Sequence, residues 1–184
     1  MPVRVLLLSF RWYDADTIIM NDKIPLEIFL PPPDFPHVNL IVAQDHHGLN
    51  NGVFFLRICS WTVSLLVDIL SYRDYYGSQQ LKYRDQTAME LSLASSHFHN
   101  GYVNVPMSWF NGYGPKSGCV NGTNDSPCGS LLVHMAGARQ KRKFCRWIRL
   151  SHRKTDTWVR ALQDTHYPKE IEDLWAKERQ KLHR

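Results

Sequence analysis

Apolar runs broken by polar turns cut this chain into short strands and a few helices. Val3 to Phe10 is β-branched and Leu-rich, the pattern of a buried strand, and it ends before Asp14. Thr17 to Met20 is expected to continue it past the acidic turn. Val38 to Ala43 predicts a second strand, Asp45-His46-His47-Gly48 a turn, and Gly52 to Ile58 a third strand. Trp61 to Leu70 predicts a helix with Ser60 as N-cap, and Asp85 to Ala94 another that Asp85 can cap. Tyr102 to Val105 and Ser130 to Met135 read as strands, with a Gly- and Asn-rich loop from Phe110 to Pro127 between them. Pro31-Pro32-Pro33 marks extended chain. The C-terminal part is expected to be helical. One helix runs from Thr155 or Asp156 to about Asp164, and another opens at Pro168 with Ile171, Leu174, Trp175 and Leu182 on one face. Strands alternating with helices predict an α/β protein, in which ligands bind beyond the carboxyl ends of the strands. Asp14 and Asp16, and later His134 and Gly137, fall at such ends.

Composition narrows the class. A length of 184 residues with 43% hydrophobic and 12% aromatic residues suits one globular domain. The net charge of +5 is uneven, because Arg139 to Lys154 is crowded with Lys and Arg and holds no acid. Such a run is a solvated face or a contact for anionic headgroups or phosphates. No nucleic-acid-binding signature accompanies it, so no nucleic-acid partner is expected. The four cysteines form no CxxC pair, which argues against a structural zinc site. Cys119 and Cys128 bracket a polar loop holding the Asn121-Gly122-Thr123 glycosylation sequon, which points to a secretory lumen. The apolar stretch near the start falls short of the ~18 residues that span a bilayer and makes a poor signal peptide.

Candidate chemistry centres on Asp14-Ala15-Asp16. Two carboxylates one residue apart at a strand exit can hold a divalent cation and so stabilise a departing diphosphate; a turn or cap is the plainer alternative. Asp16 is the stronger metal candidate, Asp14 supports the metal or a ribose, and His134 can complete the coordination, imidazole suiting Mn2+ better than Mg2+. A lone His on an apolar strand is also commonly a satisfied core residue. The small residues Ala136-Gly137-Ala138 would let backbone approach a phosphate, whose charge Arg139 can neutralise. Gly48-Leu49-Asn50-Asn51-Gly52 reads either as a hairpin turn or as a loop that sets the Asn50 amide against sugar hydroxyls. Asp85-Gln86 reads as a cap or as a carboxylate and amide beside an anomeric carbon.

Five segments recur in a familiar order: Trp12-Tyr13-Asp14-Ala15-Asp16-Thr17; Leu49-Asn50-Asn51-Gly52-Val53-Phe54-Phe55-Leu56-Arg57; Asp85-Gln86; Phe110-Asn111-Gly112-Tyr113; and Val133-His134-Met135-Ala136-Gly137. Over about residues 10 to 140 the chain resembles glycosyltransferase family 34, which includes fungal α-galactosyltransferases and α-1,6-mannosyltransferases and plant xyloglucan xylosyltransferases. The resemblance implies a GT-A type mixed sheet flanked by helices, retaining chemistry and dependence on Mn2+, with Mg2+ as the alternative. It implies that Asp14, Asp16 and His134 bind the metal and that Asn50 and Gly52 line the donor-sugar pocket. Gly137 and Arg139 would meet the diphosphate, and Asp85 and Gln86 would flank the anomeric carbon as the catalytic pair. The donor would be UDP-galactose or GDP-mannose, the acceptor a glycan, and the location the Golgi lumen or membrane, with a membrane anchor and complex subunits as in full-length relatives.

Relatives carry a nucleotide-binding half before the acidic turn that this chain does not show, and Arg84 stands where the plant relatives carry an acid. The expectation is therefore a partial catalytic domain over residues 1–150, missing much of its N-terminal nucleotide-binding half. Residues 151–184 would be a helical extension of the same domain. The leading function is hexosyl transfer from a nucleotide sugar to a glycan. The alternatives are an inactive truncated remnant or non-catalytic subunit of a glycosyltransferase complex, and a metal-dependent hydrolase that also uses His46 and His47.

Overall fold

The computed structural model describes residues 9–77, 81–114, 126–136, 145, 148–149 and 158–182. The chain divides into two compact units, Met1–Trp12 with Pro31–Asn104 and Tyr13–Leu30 with Val105–Arg184. Both mix strands and helices, as the alternating pattern predicts.

The first unit is built on a four-stranded sheet of order β1-β4-β3-β5, from Ser9–Tyr13 (β1), Leu40–Asp45 (β3), Gly48–Arg57 (β4) and Tyr102–Pro106 (β5). Residues 3–8 of the expected first strand lie outside the described residues, and the described part runs on to Tyr13. Strands β3 and β4 form an antiparallel hairpin whose turn falls at the predicted Asp45–Gly48. Asp45 makes the turn by accepting from the His47 amide at 2.6 Å, and Gly48 takes φ +113, where a side chain would be strained. The strand then starts at Gly48 rather than Gly52, so Asn50-Asn51-Gly52 lies within β4 and is not the turn. There the register jumps from Val42 opposite Phe54 to Ala43 opposite Asn50, leaving Asn51, Gly52 and Val53 as an inserted bulge.

Helices α1 (Ser60–Tyr76) and α2 (Asp85–Leu93) cover this sheet. The core joins Leu40, Val42, Phe54 and Leu56 to Leu65, Met89 and Leu93, with Trp61 and Ile69 packed against it. Gly101 allows close approach, since a β-carbon there would run into the Trp61 indole. The N-cap of α1 is Cys59, not the expected Ser60, and the helix extends past Leu70 to Tyr76.

The second unit holds a two-stranded antiparallel sheet of Thr17–Ile19 (β2) and Leu132–His134 (β6). Strand β2 is therefore not a continuation of β1: the Asp14–Asp16 turn redirects the chain into another sheet. Ile18, Met20, Val133, Met135 and Trp158 form its core. Helix α3 (Tyr167–Leu182) begins at the predicted Pro168 turn. Trp175 on its expected face is buried, whereas Leu182 is exposed. Its main anchor is Tyr167, whose hydroxyl donates to the Trp109 carbonyl at 2.7 Å and accepts from the Leu131 amide at 2.8 Å. Burial pushes the Tyr167 phenol pKa up. Phe29 meets Trp109, Phe110 and Tyr167 in one aromatic cluster. The helix expected up to Asp164 is only a 3-10 turn at Leu162–Asp164 among the described residues. Among those residues no helix is long and apolar enough to cross a membrane.

Candidate functional site

In the second unit the acidic turn is closed by local bonds. The Thr17 amide and hydroxyl both donate to the Asp14 carbonyl, at 3.1 and 2.8 Å. Pairing of β2 with β6 sets Thr17 opposite His134, and the Met135 amide donates to the Asp16 carbonyl at 2.9 Å. The buried His134 ring thereby meets both half-exposed carboxylates. Its Nε2 lies 3.3 Å from Asp16 Oδ1 and 3.9 Å from Asp14 Oδ2. One ligand atom from each of the three residues falls within 4.8 Å of the others. Atoms bound to one cation at about 2.1 Å stand about 3–4.3 Å apart, so the spacing fits a shared divalent ion. Two carboxylates and an imidazole also suit such an ion chemically.

The other ring nitrogen is committed. His134 Nδ1 lies 2.5 Å from Asn111 Oδ1, and an amide oxygen there can only accept. The bond puts hydrogen on Nδ1, so that a neutral ring turns its Nε2 lone pair to the carboxylates. The His134 amide donates to the Gly112 carbonyl at 2.8 Å, and Tyr113 bridges to His134, so the Phe110–Tyr113 segment supports both ring and backbone. Asn111 carried no role in the sequence reading, although it sits inside one of the recurring segments. Its residue type gave no signal, because Asn in a Gly-rich loop is common.

The first unit holds Asn50, Gly52, Asp85 and Gln86. Asn50 is buried at the bulge, donating to Asp45 Oδ2 at 2.9 Å and accepting from the Gly52 amide at 3.0 Å. Its amide is thus occupied in shaping the hairpin. The neighbouring Asn51 donates to Asp85 Oδ2 at 2.8 Å and steadies that exposed carboxylate. Asp85 opens α2 without capping it, and Gln86 beside it is half-buried. Arg84 takes φ 51, the one positive-φ non-glycine residue among the described residues. Such strain concentrates where function requires it. On the next turn of α2, Glu90 accepts from the Leu49 amide at 3.3 Å and ties the hairpin to the helix.

Gly137 and Arg139 lie outside the described residues, as do Cys119, the sequon and most of the basic run. Cys128 is disulfide-bonded. The His46 and His47 rings lie 4.0 Å apart, tilted by 48°, but join no group of three metal-ligating side chains among the described residues.

The model of the galactosyl transferase GMA12/MNN10 family matches residues 31–145. A curated relative, an uncharacterized alpha-1,2-galactosyltransferase of Schizosaccharomyces pombe, is 30% identical over 168 residues, covering 72% of this chain and 48% of its own. The chain thus spans about half the length of that relative. Among solved structures, a glycosyltransferase involved in the glycosylation of the major capsid of PBCV-1 matches with a TM-score of 0.54 and 16% identity, over 76% of this chain and 66% of that one. That likeness shows the fold. A family match covering most of the chain, including the hairpin, the head of α2 and His134, makes this chain a member of the galactosyl transferase GMA12/MNN10 family.

Proposed function

We propose that this chain is the metal-binding part of a retaining glycosyltransferase of GT-A type that moves a hexose from a nucleotide-sugar donor to a glycan acceptor. The observation that carries the reading is the convergence of Asp14, Asp16 and His134. Asp14, Asp16 and His134 would hold Mn2+ or Mg2+, which supplies Lewis-acid stabilisation to a departing diphosphate. Asn111 orients the His134 ring for that task. Asp85, steadied by Asn51, and Gln86 would lie against the anomeric carbon and stabilise positive charge as the glycosidic bond to the diphosphate loosens. Asn50 and Gly52 would shape the donor-sugar pocket through the bulge, and Gly137 and Arg139 would meet the phosphates. Residues 1–150 would belong to the catalytic domain, with 151–184 as its helical extension.

The name of the S. pombe relative favours galactose, hence a UDP-galactose donor, over mannose from GDP-mannose. The disulfide at Cys128 favours an oxidising lumen, which in this family means the Golgi. The test is transfer or donor hydrolysis with and without Mn2+, beside Asp16→Ala. Turnover that requires Mn2+ and disappears in Asp16→Ala is expected; turnover retained in Asp16→Ala refutes the metal role. A second reading, a non-catalytic subunit of a glycosyltransferase complex, draws on the Asn50 amide, which is engaged within its own hairpin by Asp45 and the Gly52 amide. Calorimetry separates the two, because a non-catalytic subunit would show no Mn2+-dependent binding of donor nucleotide.

A further inference from the structure

Helix α1 is apolar on two opposite faces. Trp61, Leu65, Ile69 and Tyr72 turn toward the sheet and its neighbours. Val63, Leu66, Val67 and Leu70 form a second stripe at i, i+3, i+4 and i+7 on the other side, 59%, 38%, 59% and 83% exposed. An apolar stripe of that regularity calls for a cover. No charge interrupts it, and its flanks carry Ser64, Ser71, Arg73 and Asp74 rather than the basic rim that a lipid surface selects.

We propose that a second copy of this chain covers the stripe, the two α1 helices packing antiparallel about a two-fold axis between Leu66 and Val67. The stripe is self-complementary in that arrangement, as an isologous interface requires. Val63 meets Leu70 of the other copy and Leu66 meets Val67, so each layer pairs one Val with one Leu. One turn beyond Leu70 the stripe ends at the exposed Asp74, and one turn before Val63 it starts at Cys59, the N-cap of α1. The same symmetry brings Asp74 of one copy to the N-terminus of the other's helix. That N-terminus has no side-chain cap bond and no acid in its first turn. A carboxylate there satisfies orphan amides and opposes the helix dipole. The proposal does not depend on the enzymatic reading.

Sedimentation equilibrium of the full chain from about 1 to about 100 µM tests it, with circular dichroism as the folding control. The expected result is a reversible dimer. Leu70→Glu should raise its dissociation constant about tenfold or more, and Asp74→Lys should raise it about three- to tenfold. Both residues are exposed, so helix content should hold in each variant. A wild-type chain that stays monomeric across the range, or a dimer that Leu70→Glu leaves intact, would overturn the interface. A dimer indifferent to Asp74→Lys would overturn the antiparallel pairing.

Discussion

Replacing Asn111 with Leu keeps a branched side chain of four heavy atoms, somewhat bulkier, while removing the acceptor and the amide donors, and it tests what the amide does for His134. In the native site Nδ1 donates to Asn111 Oδ1 at 2.5 Å, so a neutral ring keeps its lone pair on Nε2, 3.3 Å from Asp16. In Asn111→Leu that hydrogen has no acceptor in a buried position. The neutral ring would then carry hydrogen on Nε2, where the Asp16 carboxylate accepts it. To ligate a cation the ring must move that hydrogen back to the orphaned Nδ1. Leaving a buried donor unpaired costs about 1–3 kcal/mol, which corresponds to about a 5- to 150-fold loss of affinity. This agrees with the 10- to 100-fold typical of losing a partner behind a metal ligand.

The assay is Mn2+ titration followed by electron paramagnetic resonance of the free ion. His134→Gln sets the floor, and Asn111→Asp is the rescue, since a carboxylate also accepts from Nδ1–H. The expected order of affinity is wild type and Asn111→Asp above Asn111→Leu, with His134→Gln at or below it. If Asn111→Leu binds as tightly as wild type while His134→Gln does not, the amide does not set the tautomer and the orienting argument fails.

Three further outcomes follow from other parts of the fold. Tyr167→Phe strands the buried Leu131 amide and Trp109 carbonyl, at about 1–3 kcal/mol for each group, so urea unfolding should show a marked loss of stability, and an unchanged midpoint would contradict the anchoring role. Gly48→Ala forces φ +113 on a β-carbon that would sit 2.5 Å from Glu90 Oε1, and it should lower thermal stability, less so when Glu90 is also changed to Ala; equal losses in both backgrounds would remove Glu90 from the explanation. Burial lowers the His166 pKa below 6.5, against smaller opposing effects from Glu170 and a Ser108 backbone hydrogen bond. The unfolded chain therefore binds a proton that the folded chain resists, so this contribution is full above the unfolded value and is lost as pH falls from there toward the folded pKa. Unfolding free energies at about pH 7.5 and about pH 5.5 should fall further apart in wild type than in His166→Gln, and equal differences would refute the assignment.

Local signals were legible in the sequence, and distant pairings were not. The Asp45–Gly48 turn and the Pro168 start of α3 rest on residues that act within a few positions of their own backbone, and α2 opens at the expected Asp85 although that side chain bonds to Asn51 rather than capping the helix. The order of the recurring segments likewise singled out Asp14, Asp16 and His134. Which sheet β2 joins was not legible, because Thr17–Ile19 has the same local pattern whether it extends β1 or pairs with β6. The bulge in β4 escaped because Asn50-Asn51-Gly52 is also a common turn sequence, and only the pairing with β3 distinguishes the two. The Asn51–Asp85 and Asn111–His134 bonds join residues far apart in sequence through side chains of ordinary type.

The convergence of Asp14, Asp16 and His134 depends on strand register more than on the residues themselves. His134 meets the acidic turn only because β2 and β6 pair with Thr17 opposite His134, Ile18 opposite Val133 and Ile19 opposite Leu132. A one-residue slip would turn every side chain of β6 to the other face, exchanging His134 for the wholly buried Val133. A pair of three-residue strands specifies register weakly by itself, so the register must be enforced from outside. The Met135 amide fixes one end on the Asp16 carbonyl, and the Met20 and Asn21 amides fix the other on the Leu131 carbonyl. Tyr167 holds Leu131 from the far side, and the same hydroxyl holds Trp109, two residues from Asn111. One buried phenol on α3 therefore reaches both the chain leading into the strand that carries the His134 imidazole and the segment that holds it, which makes the C-terminal helix part of the site's construction although none of its residues belongs to the candidate ligand group.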